Sequence, residues 1–120
     1  MKNERPHKRL DVWRRAIKMV KRIYEISGGF PKEEEFGLKS QVRRAAVSVP
    51  SNIAEGLTRR SKKEKIRFLN ISDGSLSELD TQLEIARELG FIGENLYDEA
   101  EEMLMEIQRP LSGLIRSIES

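Results

Sequence analysis

Six basic residues crowd one short stretch, Arg59-Arg60-Ser61-Lys62-Lys63-Glu64-Lys65-Ile66-Arg67, against a single acid. The chemistry open to such a cluster is capture of an anion, since lysine and arginine donate charge-assisted hydrogen bonds to phosphate oxygens and arginine does so as a fork. Lys62 and Lys63 fall in the first turn of a predicted helix, where the dipole favours anions and repels cations. A local preference broken in this way is expected where a phosphate-binding surface asks for it. Arg43 and Arg44, and Arg14 and Arg15 with Lys18, Lys21 and Arg22, extend the candidate nucleic-acid surface onto two further predicted helices. The same charges also read as solvated, or as partners for the acids from Glu94 through Glu106 on this copy or a neighbouring one.

Other chemistries lack their residues. The single histidine, His7, lies between Pro6 and Lys8 in a basic stretch, residues 1–9, expected to be a flexible, solvated tail. Di-iron bundles need Glu-x-x-His pairs on facing helices, and the chain has none. With no histidine on any predicted helix, a histidine-dependent ribonuclease and a base-activated serine nucleophile are both disfavoured. The absence of cysteine removes thiolate nucleophiles, zinc–thiolate sites and disulfides, and fits a reducing compartment. Glu55, Glu78, Asp80 and Glu84 are candidate carboxylates, but no spacing specifies the buried or paired geometry that catalysis needs, and Glu55 stands four residues before Arg59 in the orientation of a helix ion pair. Gly28-Gly29 has no lysine-serine partner and is no phosphate loop. The expectation is a protein that is not an enzyme, with no cofactor and no metal.

Four amphipathic segments position the basic residues. The first is predicted over 11–27, with Asp11 as N-cap and Gly28-Gly29 as a left-handed stop. It carries two apolar stripes, one of Leu10, Trp13, Ile17, Val20 and Tyr24, the other of Val12, Ala16, Met19, Ile23 and Ile26, a wider arc than one bundle seam needs. The excess suggests burial against a second subunit. The second helix is predicted from Pro31 or Lys32 to Gly56 or Leu57, kinked at Pro50, with Ser48, Ser51 or Asn52 serving freed backbone groups. The third starts at a Ser61-x-x-Glu64 capping box and ends at Leu89-Gly90, with Gly74 permitting a close approach. The fourth follows Gly93 and is bent by Pro110. Short loops between helices of about 25 residues, roughly 38 Å long, predict an all-α, antiparallel up-down-up-down four-helix bundle over residues 10–120. Its core is predicted to hold Trp13, Ile17, Val20, Val42, Val49, Ile53, Leu69, Leu76, Leu83, Leu104, Ile107 and Leu111. The aromatic residues sit at core-like spacing, so no platform for stacking bases is expected.

The net charge of +2 conceals an asymmetry: residues 1–60 hold 15 Lys/Arg against 7 Asp/Glu, or +8, and residues 61–120 hold 7 against 13, or −6. Such a division can create a polyanion-binding surface or draw the halves, or two subunits, together. With 38% hydrophobic and 35% charged residues, the composition suits helices with solvated outer faces. The N-terminus lacks the apolar stretch of a secretory signal and no window approaches a membrane span, so a cytoplasmic protein is the expectation.

The run Arg43-Arg-Ala-Ala-Val-Ser-Val-Pro-Ser-Asn-Ile-Ala-Glu-Gly56, with Gly74-Ser75-Leu76-Ser77-Glu78-Leu79 and Thr81-Gln82-Leu83, resembles the bacterial four-helix-bundle family first met as open reading frames inside intervening sequences of 23S rRNA genes. The resemblance covers about Leu10 to Ile118. It implies a ring-shaped homo-oligomer, a homopentamer, and kinship with accessory proteins of diversity-generating retroelements, which assist a reverse transcriptase and its RNA. The function expected on this reading is that of a non-enzymatic, oligomeric RNA-binding bundle, with a reverse-transcriptase accessory role as its more specific form. The alternative is a protein-interaction scaffold whose charge asymmetry serves self-assembly or partner docking.

Overall fold

The computed structural model describes residues 5–120, and among these the regular elements are all helical: α1 (Asp11–Ser27), α2 (Leu38–Thr58), α3 (Lys62–Glu88) and α4 (Glu94–Glu119). Consecutive helices pack antiparallel, and α4 closes the bundle against α1, so that α1 lies diagonally from α3 and α2 from α4. One end of the bundle gathers the start of α1, the α2–α3 turn and the end of α4; we call it the turn end. The far end carries the α1–α2 and α3–α4 connections.

The core is built from Val42, Val49 and Ile53 of α2, Leu69, Leu76 and Leu83 of α3, and Leu104, Ile107 and Leu111 of α4, as their spacing predicts. On α1 the inward stripe is the other one. Val12, Ala16, Met19, Ile23 and Ile26 are buried, while Trp13 and Val20 are half-buried and Ile17 is 43% exposed. Two apolar stripes leave periodicity without a choice, and the neighbours decide. With the alanine stripe inward, Arg22 and Arg15 sit beside α4, where Arg22 pairs with Glu99 and Arg15 donates to the Glu106 carbonyl at 3.3 Å.

Local chemistry corrects several predicted boundaries. Asp11 is the first residue of α1 rather than its cap, and its carboxylate pairs with Arg15 at 2.7 Å. Gly28 is right-handed at φ −60°; the positive-φ residue among those described is Gly90 at 78°, which ends α3. The acidic run after Pro31 forms a separate 3-10 turn, Lys32–Glu34, and α2 begins at Leu38, because the Glu34 carboxylate accepts the Leu38 N–H at 2.9 Å and so caps the helix from outside. At the capping box, Ser61 accepts the Glu64 N–H at 3.1 Å, but the Glu64 carboxylate turns to Arg67 at 3.3 Å instead of back to Ser61.

Both internal prolines lie within unbroken helices. Near Pro50 the Asn52 amide donates to the Ser48 carbonyl at 2.8 Å and to the Ser48 hydroxyl at 2.9 Å. Ser75 donates to that hydroxyl from α3 at 2.8 Å, which ties α2 and α3 through small polar side chains. The glycine at which α2 and α3 approach closely is Gly56, not Gly74. A Cβ at Gly56 would stand 3.2 Å from the Lys65 carbonyl and 3.2 Å from Phe68 Cβ, whereas one at Gly74 meets nothing within 4 Å. Before α1, residues Pro6–Arg9 make a 3-10 turn, and the His7 ring stands edge-on to Trp13 at 5.1 Å. Part of the predicted tail is thus folded against α1, while residues 1–4 lie outside the described residues. No helix among the described residues is long and apolar enough to cross a membrane.

Candidate nucleic-acid interface

The α2–α3 turn is short because α2 ends at Thr58, Arg59 is extended at φ −76° and ψ 152°, and Ser61 immediately starts α3. Its cations divide into those held by the fold and those that face outward. Arg59 is held: its guanidinium pairs with Glu55 at 2.8 Å and lies 4.7 Å from the centre of the Phe68 ring. Arg67 covers the same ring at 4.9 Å and pairs with Glu64. The Lys62 ammonium donates to the Ser120 carbonyl at 3.1 Å, which places a cation at the negative end of α4. The dipole preference broken at the start of α3 is therefore met at the end of its neighbour.

Arg60 and Lys63 are exposed and make no hydrogen bond or ion pair with a described residue; Lys65 is half-buried and likewise unpaired. These three form the outward-facing part of the turn. Arg14 and Arg15 open α1 at the same end, with Arg15 committed to Asp11 and α4. Of the acids at this end, Asp11, Glu55 and Glu64 are each occupied by an arginine, while Glu119 at the close of α4 is exposed.

Arg43 and Arg44 belong to a different place. They lie about 22 Å along α2 from the turn, at 1.5 Å per residue, toward the far end. Arg43 is fixed there, donating to the Ser27 hydroxyl at 2.8 Å and the Tyr24 carbonyl at 3.0 Å while stacking 4.3 Å over the Tyr24 ring. Arg44 is exposed and donates to Ser40 at 3.2 Å. The fold thus gathers Arg14, Arg15, Arg59, Arg60, Lys62, Lys63, Lys65 and Arg67 at one end and leaves Arg43 and Arg44 in a second basic patch.

Of the candidate carboxylates, Asp80 and Glu84 share the α3–α4 seam, while Glu55 and Glu78 lie elsewhere. Glu55 belongs to Arg59; Glu84 accepts from Arg87 and from the Tyr97 hydroxyl at 2.9 Å, bonds that hold its carboxyl below the usual range and push the Tyr97 phenol up to about 12. Asp80 faces Glu101 of α4, whose carboxyl is pushed up to about 7 by burial and by hydrogen bonding and repulsion from Asp80. Glu78 is exposed beside Gln41 and Arg44. Among the described residues no group of three His, Asp or Glu side chains could hold a metal ion.

The structure also exposes large apolar residues, Ile17 and Tyr24 of the first predicted stripe among them. Phe36 is 95% exposed on the turn before α2, and Ile17, Tyr24 and Val47 lie open along the α1–α2 face. Core-like spacing predicts burial of Phe36 with the other aromatic residues, and the signal against that is its setting between Glu33-Glu34-Glu35 and Gly37.

The bundle is similar to a crystal structure of a protein of unknown function from the S23 ribosomal protein family of Bacteroides thetaiotaomicron, with a TM-score of 0.78 and 24% identity over 87% of this chain and 97% of that one. That likeness concerns the fold. No curated protein matches the sequence. The family model described as 23S rRNA-intervening sequence protein matches residues 8–113, from before α1 into α4, and the chain belongs to that family.

Proposed function

We propose that this chain is a non-enzymatic, oligomeric RNA-binding bundle that holds structured RNA by its phosphates at the α2–α3 turn. The observation that carries this reading is the outward, unpaired pair Arg60 and Lys63 at an end of the bundle where three acids, Asp11, Glu55 and Glu64, are already occupied. Cations without internal partners retain their full attraction for a polyanion, and neutralised neighbours do not oppose it. The family name, which refers to 23S rRNA, is in keeping with an RNA partner. Recognition through phosphates and shape is weakly sequence-specific.

Assembly into a ring, a homopentamer in its specific form, would multiply these contacts. Its support is the apolar α1–α2 groove, where Trp13, Ile17 and Val20 face Val47, Pro50 and Ala54, with His7 of the N-terminal turn at its edge. An accessory role beside a reverse transcriptase is the finer form of the same reading. The scaffold alternative draws support from the Arg22–Glu99 pair, which shows basic α1 already engaged with acidic α4.

The test is titration of the purified chain with structured RNA over a series of salt concentrations. Affinity is expected to fall linearly, on logarithmic axes, with salt. The R60E/K63E double variant is expected to lose most binding at unchanged helicity. Equal affinity in wild type and double variant would remove the turn as the site, and no binding at low salt would leave the scaffold.

A further inference from the structure

The far end of the bundle carries a groove that combines the two ingredients of single-strand recognition, an exposed ring and flanking cations. Phe36 is 95% exposed, yet its turn is firmly built. The Glu34 carboxylate accepts the Leu38 N–H at 2.9 Å, and Gly37 lies so close over it that a Cβ would stand 2.9 Å from the same oxygen. The ring is therefore presented outward by a fixed backbone. Beside it run Lys39, Arg43 and Arg44, with Tyr24 and Val47 completing the groove. The carboxylate on its rim, Glu35, is neutralised by Lys39 at 2.8 Å, which holds Glu35 below the usual carboxylate range. Arg43 is locked onto Tyr24 and contributes field rather than a mobile contact, whereas Arg44 is exposed to solvent.

We infer that Phe36 is a stacking platform for an unpaired base of single-stranded RNA, with an adjoining phosphate on Arg44. The inference rests on the RNA-binding reading above and adds a second site to it. Every base offers a face to stack, so this site is tolerant of sequence, but it requires the base to be unpaired; a duplex keeps its faces inside the stack. Phe36 and the α2–α3 turn stand at opposite ends of α2, about 30 Å apart at 1.5 Å per residue. The chain would thus read a phosphate-rich structured segment at one end and an unpaired segment at the other.

The experiment compares the full chain with Phe36→Ala and Phe36→Trp. Binding is followed by fluorescence anisotropy to labelled oligoadenylate of about 12 nucleotides, a length within known single-strand site sizes, and to a duplex of equal length. Phe36→Ala is expected to weaken single-strand binding roughly tenfold. It leaves duplex binding and sedimentation mass unchanged, and Phe36→Trp restores single-strand affinity. Unchanged single-strand affinity in Phe36→Ala, with wild-type binding to both RNAs, overturns the platform and leaves the turn site standing. A change in sedimentation mass accompanying the loss places Phe36 between two copies of the chain and overturns it too. Failure of the wild type to bind either RNA overturns both readings together.

Discussion

Ser72 of α3 donates its hydroxyl to the carbonyl of Val49 in α2 at 2.8 Å, in the residue immediately before Pro50. Ser72 is fully buried, so this bond is made away from water, where the hydroxyl would otherwise have no partner. It joins α2 to α3 at the point where α2 lacks a backbone donor. Ser72→Ala removes the bond along with its donor and should cost about 1 kcal/mol. Thermal unfolding followed by circular dichroism should show a fall of roughly 4 °C. An unchanged midpoint would mean that the bond contributes nothing to the α2–α3 pairing.

The two glycines of α2 and α3 give a matched pair of opposite sign. Alanine in place of Gly74, in the interior of α3 with open space around it, should raise stability by about 0.5–1 kcal/mol, because glycine carries a helix penalty and no compensating contact. Alanine in place of Gly56 gains a similar propensity but meets the Lys65 carbonyl and Phe68 Cβ at 3.2 Å, both fixed to the backbone of α3. Overpacking there should outweigh the gain and give a net loss of about 1 kcal/mol or more. Denaturant midpoints of the two variants should move in opposite directions.

These glycines also mark where the sequence stops being legible. Helix number, type and order follow from periodicity and from Gly90, Gly93 and Ser61, since those signals are local. Which glycine lies against a neighbour depends on the rotation of α3 about its axis, and no local signal sets that. The two stripes of α1 pose the same problem: both are apolar at helical spacing, and the choice rests on where Arg15 and Arg22 meet α4. The basic cluster was visible by composition, but the division of Arg59, Lys62 and Arg67 from Arg60 and Lys63 required the positions of Glu55, Phe68, Ser120 and Glu64.

The α3–α4 seam should make the protein less stable as pH rises from about 4.5 to 7. Glu101 of α4 faces Asp80 and Glu84 of α3, with Arg87 as the opposing cation, and one of its carboxyl oxygens is buried without a partner among the described residues. Its carboxyl is raised from 4.5 to about 7, so folding favours the protonated form. The unfolded chain releases this proton at lower pH than the folded one does. The stabilisation is therefore complete below about 4.5 and is lost as pH rises through about 7. Glu35, Glu84 and Glu99, lowered by Lys39, Arg87 and Arg22 respectively, work in the other direction and lose their contributions as pH falls below 4.5. Unfolding midpoints should decline between about pH 4.5 and 7, and Glu101→Gln, whose amide donates to Asp80 at any pH, should flatten that decline. A wild-type midpoint constant over this range would exclude the seam as a source of pH dependence.

The outward stripe of α1 separates folding from assembly. Ile17 is 43% exposed in the groove formed with Val47 and Pro50, so Ile17→Asp adds a charge where solvent already reaches and should leave the bundle folded. Ile23 lies one stripe away at 1% exposure, and aspartate there would bury an unpaired carboxylate in the core, which should unfold the chain. If the groove is covered by another copy, Ile17→Asp should reduce the sedimentation mass to the 13.9 kDa of a single chain while the far-ultraviolet spectrum stays helical. Placing a charge inside an apolar contact costs several kcal/mol per interface, enough to dissociate a weak assembly at micromolar concentration. An oligomer of unaltered mass in Ile17→Asp would show that the groove is not its contact, and the search would turn to the exposed Ile71 and Ile85 of α3 and Met105 of α4.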